Sequence, residues 1–185
     1  GELLMSLGEP QILALKADLP IDVRIEFEAR EENVYLNSIG CFVSATRNVS
    51  PKEMGFTGYK FELGGFDNSA DTLDRAGRQI ARRQAASIER GKNVRICLER
   101  VGNRLRVVID GHELFNVVDP DPLSGSDRTA IGLFGWLAEC YIKHIKISTL
   151  GAPWKSDILD LAERQSLKGN YDLALGLVKE VIDSY

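Results

Sequence analysis

Along "DVRIEFEAR", residues 22 to 30, polar and apolar positions alternate without a break. Val23, Ile25, Phe27 and Ala29 take one side, and Arg24, Glu26, Glu28 and Arg30 the other. A period of two is what a strand with one buried face requires, because successive side chains point to opposite faces of a sheet. The parity returns in "NVRICLER", where Val94, Ile96 and Leu98 oppose Arg95, Cys97 and Glu99. It returns again in "NRLRVVID", with Leu105, Val107 and Ile109 against Arg104, Arg106 and Asp110. Further strands are predicted at 11–17, 34–45, 58–65, 113–118, 130–138 and 140–149, separated by Gly, Pro, Asn and Asp clusters. Many short strands and few helices before residue 150 predict a mainly β sandwich of two antiparallel sheets.

Two further stretches refine the picture. In "NRLRVVIDGHELF", residues 103 to 115, alternating runs fold about Asp110-Gly111. Asp-Gly supplies the positive φ values that a two-residue hairpin needs, so the pair is assigned a structural role. "DRAGRQIARRQAASIERGK", residues 74 to 92, breaks the period. Ile80, Ala81, Ala85 and Ile88 fit a helical face, but the segment is read as irregular strands with a turn at Gly91.

After Gly151-Ala152-Pro153 the period becomes helical. Ser156 is the expected N-cap of one helix, Gly169 its C-cap, and "NYDLALGLVKEVIDSY" a second helix. The chain is therefore divided into a sandwich, 1–152, and a C-terminal α-helical hairpin, 153–185. The spacing of Ile158, Leu161, Ala162, Tyr171, Ala174, Val178 and Val181 resembles one tetratricopeptide repeat, with Gln165 where the repeat usually carries an aromatic. One repeat cannot bury its own inner face. The expectation is docking on the sandwich, pairing with a second copy or the start of an array, and self-association as a homodimer or array is favoured.

Composition narrows the classes. The 185 residues are 44% hydrophobic, enough for one good core and a small appendage. A formal net charge of −4 gives no sequence-wide basic field, so nucleic acid is not an expected partner. Arg75, Arg78, Arg82, Arg83, Arg90 and Lys92 make 74–92 a local exception, read either as a solvated strand facing acidic neighbours or as a contact for a phosphate, a uronate or an acidic partner. No apolar stretch approaches the roughly 18 residues of a membrane span, and no targeting signal is read, so membrane insertion is not expected. A start at Gly1 and an end inside a helical pattern suggest a piece of a larger polypeptide. Cys41, Cys97 and Cys140 sit singly in apolar runs and are expected to be free thiols, while His112 and His144 share no metal motif.

"VRICLERVGNRLRVVIDGHELF", preceded by "GYKFELGGFDN" and followed by "DPDPLSG" and "IGLFGW", resembles the strand, turn, strand succession of concanavalin A-like and laminin G-like lectin domains. Domains of this kind are appended to bacterial multidomain proteins, including some Ser/Thr kinases. The resemblance covers residues 10 to 150 and implies a concanavalin A-like jelly-roll sandwich. As a function it implies a non-catalytic module that binds a carbohydrate or a protein. The surface it implies is the concave sheet and its rim, with Tyr59, Asp67, Asn68, Arg75, Trp136 and Glu139 as candidate ligand-binding residues. An aromatic platform stacks on a sugar's C–H face, and planar polar groups bond its hydroxyls.

Other readings stay open. Relatives that hydrolyse laminarin-type glucans carry three acids at alternating positions, a pattern absent here. Glu26 and Glu28 are only two acids in register, and Arg24 and Arg30 beside them favour a cross-strand salt-bridge ladder. A 3-keto-glucoside hydrolase-like enzyme on the same sandwich would use Glu62, and a purely structural oligomerisation module is the third class. No cofactor is expected, although Asp119, Asp121 and Asp127 have the oxygen donors that calcium takes in some lectin-like relatives.

Overall fold

The computed structural model describes residues 3–5, 11–15, 19–33, 38–46, 57–136, 139–149, 158–167 and 169–183. The expected N-cap Ser156 and the 151–153 boundary lie outside the described residues. The chain divides into two compact units, Gly1–Leu150 and Gly151–Tyr185. The strands of the first are β1 (Leu3–Met5), β2 (Gln11–Leu15), β3 (Val23–Glu31), β4 (Ile39–Ala45), β5 (Tyr59–Gly64), β6 (Ala70–Arg75), β7 (Arg78–Gln84), β8 (Val94–Val101), β9 (Arg104–Ile109), β10 (His112–Val118), β11 (Ala130–Gly135) and β12 (Cys140–Thr149). A short turn labelled α1 (Gly65–Asn68) joins β5 to β6.

Two six-stranded antiparallel sheets result. The first runs β1-β12-β3-β8-β9-β10 and the second β2-β11-β4-β5-β6-β7. Along β3, buried and half-buried residues alternate from Val23 to Glu31, as the sequence parity requires. Ile25, Phe27, Ile96, Leu98 and Val107 from the first sheet meet Ile39, Cys41, Phe61, Leu63 and Leu73 from the second in one core. Between β9 and β10, Asp110 (φ 49°) and Gly111 (φ 83°) form the expected tight turn. The Asp110 Oδ1 accepts the Arg95 backbone N–H at 2.8 Å, which ties the turn to β8.

The segment 74–92 contains a regular strand rather than a helix. Ala76 (φ 45°) and Gly77 (φ 81°) turn the chain, and β7 then pairs with β6. A register shift opposite Leu73 and Asp74 places Ile80 and Ala81 both against the core. That bulge is why the sequence resembles an amphipathic helix here: two successive apolar residues share one face. The strand β6, "ADTLDR", escaped the sequence pattern because polar residues occupy both of its faces. Asp71 and Thr72 are nevertheless buried.

On the outer face of the second sheet, Phe42 lies opposite Gly132, and Phe134 opposite Gly40. A Cβ on Gly40 would come within 2.5 Å of the Phe134 ring, and one on Gly132 within 2.7 Å of the Phe42 ring. Each ring thus lies over the neighbouring strand's glycine. With Ala45 and Ala130 they make a second apolar cluster, against which Ile12 and Ala14 pack.

In the second unit, α2 (Ile158–Leu167) and α3 (Tyr171–Asp183) form a hairpin with Ala162 and Ala174 buried. Gly169 (φ 80°) supplies the left-handed residue at the turn. Gln165 accepts the Asn170 backbone N–H at 2.9 Å through its carbonyl, and its side-chain oxygen accepts the Asn170 amide N–H at 2.9 Å. Tyr171, expected on the inner face, is 69% exposed, because its place at the first residue of α3 leaves it beyond the packed length of α2. Leu167, Leu173 and Leu175 are exposed as well. The side chains of Ile158, Leu161 and Val181 lie outside the described residues. Among the described residues no helix is long and apolar enough to cross a membrane.

Candidate functional site

Register across the second sheet builds two rows of side chains on its outer face. Arg82, Thr72, Glu62, Gly40, Phe134 and Ile12 are successive cross-strand partners. Gln79, Asp74, Lys60, Phe42, Gly132 and Ala14 form the adjacent row. The β2–β11–β4 half of this face is apolar and the β5–β6–β7 half is polar. At their junction Lys60, 5% exposed, reaches Glu62 Oε2 at 2.9 Å and Asp74 Oδ2 at 3.3 Å, with its ammonium 5.5 Å from the centre of the Phe134 ring. Burial pushes the Asp74 carboxyl up, against the pull of Lys60.

Two exposed aromatic residues stand at one end of this face. Trp136 follows β11 and keeps the outward parity of Gly132 and Phe134. Its N–H bonds the Ser38 carbonyl at 3.0 Å, and it is 42% exposed. Phe66 follows β5 and is 61% exposed. It belongs to a run of three left-handed residues, Phe66 (φ 55°), Asp67 (φ 57°) and Asn68 (φ 55°), each costing roughly 1–2 kcal/mol for an L-residue. The surroundings hold the run in place. Asn68 Oδ1 accepts the N–H groups of Ser87 and Ile88 at 3.1 and 2.9 Å, and its Nδ2 donates to the Ile88 carbonyl at 2.8 Å. Asp71, fully buried, accepts from Gly64 N, the Arg83 guanidinium and the Ser87 hydroxyl. The Arg82 guanidinium lies 4.7 Å over the Phe66 ring.

Of the residues the sequence singled out, this end of the sheet gathers Trp136, Asp67 and Asn68, together with Glu62. Asp67 is exposed, while the Asn68 amide is spent on the 87–88 backbone. Glu139 donates its backbone N–H to the buried Glu31 carboxylate at 3.0 Å. Tyr59 and Arg75 do not join them. Tyr59 faces the core at 1% exposure, donates its hydroxyl proton to Asp119 Oδ2 at 2.6 Å and accepts the Leu123 N–H at 2.9 Å. Arg75 pairs with Asp119 at 2.7 Å and Asp121 at 3.1 Å, at the opposite end of β5 and β6. Parity explains the difference: Tyr59, Phe61 and Leu63 are the inward row of β5, so the aromatic of "GYKFELGG" is a core residue. Sequence reasoning missed Phe66, Lys60, Thr72, Asp74 and Arg82 as a group. Only the pairing of β5, β6 and β7 brings them together.

In the acidic turn 119–127, Asp119 is occupied by protein donors and Asp121 meets Arg75 at 3.1 Å. Burial pushes the Asp119 carboxyl up, but the Tyr59 hydroxyl, the Asp121 N–H and Arg75 outweigh it and hold it below its usual range. Among the described residues no group of three His, Cys, Asp or Glu side chains is placed to hold a metal ion.

A cavity of about 620 Å³ lies on the outer face of the first sheet. Most of its charges are paired: Arg24 binds Glu99, and Glu28 meets Arg95 at 2.8 Å, His144 at 3.5 Å and Lys143 at 3.7 Å, while Glu26 has no ion pair among the described residues. This is the expected salt-bridge ladder, with partners supplied by β8 and β12. Cys97 beside it is a half-buried free thiol whose pKa burial pushes up to about 11, and Cys41 and Cys140 are free and buried. Among the described residues no aromatic lines this groove. Phe42 and Phe134 on the second sheet are fully buried, so the end of that sheet where Phe66 and Trp136 are exposed is the better candidate for recognising a polyhydroxylated ring.

No protein-family profile matches the chain, and no curated protein is detectably similar to it in sequence. Solved structures do share its fold. The carbohydrate binding module CBM66 from Bacillus subtilis superposes with a TM-score of 0.61 at 12% identity, over 80% of this chain and 92% of that one. The fold is a concanavalin A-like jelly roll. A Bacillus subtilis protein of unknown function with a galectin-like fold gives a TM-score of 0.63 at 10% identity, over 80% of this chain and 81% of that one. The exoplasmic/lumenal domain of VIP36, in its Ca²⁺/Man3GlcNAc-bound form, gives 0.60 at 12% identity, over 83% of this chain and 80% of that one.

Proposed function

We propose that the sandwich is a non-catalytic module that binds a glycan on the outer face of β5–β7, at the end bounded by Phe66 and Trp136. The observation that carries this reading is a pair of exposed aromatic residues at one end of the sheet, Trp136 after β11 and Phe66 under the Arg82 guanidinium, with Glu62 in the cross-strand row of Arg82. Such rings receive a sugar's C–H face, while carboxylates and a guanidinium bond its hydroxyls. Structures with this fold include a carbohydrate binding module and a lectin domain with Man3GlcNAc bound, which supports the same class of ligand here. A glycan array, with and without calcium, tests it. Silence across the array would remove the reading and leave a structural oligomerisation module. On a glycan that binds, Trp136→Ala is expected to lower affinity by about 1–3 kcal/mol, the loss typical of an aromatic anchor, with the unfolding transition unchanged.

A hydrolytic reading has one observation behind it: Asp74 and Glu62 are two acids on neighbouring strands, and burial raises the Asp74 carboxyl. Against it, both carboxylates are already engaged by the same Lys60 ammonium, at 2.9 and 3.3 Å. Turnover of glycosides or 3-keto-glycosides that is abolished in Glu62→Gln would overturn the binding-only reading.

For the helical hairpin the reading is an assembly surface for a second copy of the chain. Leu167, Tyr171, Leu173 and Leu175 are 54% to 82% exposed, more apolar surface than two short helices hold in water without a partner. Light scattering should find a dimer that becomes a folded monomeric sandwich when residues 156–185 are deleted. A full-length monomer would contradict this.

A further inference from the structure

The ion pairs of the basic strand divide its cations into two groups. Arg75 is held by Asp119 and Asp121, and Arg83 by Asp71. Arg90 bonds the Glu32 carbonyl, and Lys92 pairs with Glu89. Arg78, opposite Arg75 at the other end of the strand, and Arg82 meet no carboxylate or carbonyl partner among the described residues, and of the two only Arg82 has a ring contact, with Phe66. Arg82 also stands on the outer face, in the same cross-strand row as Thr72 and Glu62. The two acids of that face, Glu62 and Asp74, both turn to Lys60. Lys60 offsets one of these two carboxylates, and the cation at this end of the sheet that no carboxylate among the described residues engages is the Arg82 guanidinium.

We propose that the ligand of this face is an acidic sugar, a uronate, whose carboxylate is received by Arg82. The proposal rests on the glycan-binding reading above and names its substrate class. A guanidinium stacked over an aromatic ring keeps its N–H donors in its own plane, directed away from the ring and free to form two parallel bonds to a carboxylate. Stacking also restricts the side chain beforehand, so less rotamer entropy is lost on binding. Phe66 is 61% exposed with Arg82 above it, which leaves ring surface for the C–H face of the same sugar. The three left-handed residues that present Phe66, locked by Asn68 and Asp71, fix the aromatic half of the pair. A carboxylate is favoured over a sulfate ester because a planar two-oxygen edge matches the guanidinium fork.

Calorimetry on the intact chain tests this with oligomers of galacturonate, glucuronate and mannuronate, fully methyl-esterified oligogalacturonate, a uronate-free sulfated oligosaccharide, and neutral oligomannose and laminari-oligosaccharide. The expected result is binding of at least one uronate oligomer, weakened by salt and, for galacturonate, by methyl esterification. Arg82→Gln should weaken it by about tenfold to a hundredfold, the value of hydrogen bonds to a charged group. Arg82→Lys, which keeps the charge and loses the fork, should fall between wild type and Arg82→Gln. Since Arg82 is exposed, both variants should unfold as the wild type does, and Phe66→Ala should weaken the same ligand. Binding of neutral glycans alone, of the sulfated oligosaccharide alone, or of a uronate with unchanged affinity in Arg82→Gln would overturn the uronate assignment and leave glycan binding standing. Silence of every sugar, acidic and neutral, would remove both.

Discussion

Gly40→Ala is expected to destabilise the sandwich by about 3 kcal/mol, the upper part of the range for overpacking a filled site. Its Cβ would lie 2.1 Å from the Phe61 carbonyl oxygen and 2.5 Å from the Phe134 ring. The ring could rotate, but the carbonyl belongs to β5, which is hydrogen-bonded on both sides by β4 and β6. That carbonyl cannot give way without moving the sheet. Combining Gly40→Ala with Phe134→Leu should therefore recover little. Gly132→Ala makes the useful comparison. There the Cβ meets the Leu13 carbonyl at 2.2 Å, and β2 is an edge strand with a partner on one side only. A smaller loss is expected, because an edge can shift. Urea unfolding of the three variants measures the order, and equal losses for Gly40→Ala and Gly132→Ala would contradict the account.

Arg100→Ala is expected to cost about 3–5 kcal/mol, combining a cavity with orphaned acceptors. Arg100 continues the inward row of Val94, Ile96 and Leu98 on β8 and is 2% exposed. Its guanidinium donates to Ser44 Oγ at 2.5 Å, to the Gly102 carbonyl at 3.1 Å and to the Leu123 carbonyl, and it lies 5.0 Å over the Tyr59 ring. Burial pulls its pKa down, but the group remains charged. The network extends through the Tyr59 hydroxyl to Asp119 and Arg75, so this one side chain fastens the 119–123 turn to the end of the core. Arg100→Met should recover the packing part of the loss and leave the acceptors unpaired. Urea unfolding measures the loss, and limited proteolysis should show the 119–125 segment cleaved faster in both variants. A turn as resistant as the wild type's would show that Arg100 is not its anchor.

The two effects concern positions on which the sequence is nearly silent. Neither Gly40 in "IGCFVSA" nor Arg100 at the end of "NVRICLER" is singled out by the alternation of polar and apolar positions. Strand existence and the turn at Asp110-Gly111 were legible because both are local: a two-residue period fixes which face is buried, and Asp-Gly tolerates positive φ. The helical hairpin was legible for the same reason, from its 3.6-residue spacing and Gly169. The candidate site was legible only in fragments. Trp136, Asp67, Asn68 and Glu62 were visible as residue types in promising stretches, and Tyr59 and Arg75 were equally visible, though they belong to the core and to the other end of the sheet.

Local sequence thus determined the strands, their buried faces, the Asp-Gly hairpin and the helical pair, since each rests on interactions within a few residues. The tertiary structure decided what lies side by side. It set β6 between β5 and β7, so that Lys60, Glu62, Thr72, Asp74 and Arg82 share one face. It supplied the inward-pointing Arg100 with acceptors at Ser44, Gly102 and Leu123. It also held Phe66, Asp67 and Asn68 in a left-handed conformation that their own preferences oppose, because Asn68 and Asp71 anchor the turn to the 87–88 backbone, Gly64, Arg83 and Ser87. Register between strands and partners distant along the chain fix these placements, and neither leaves a periodic mark in the sequence.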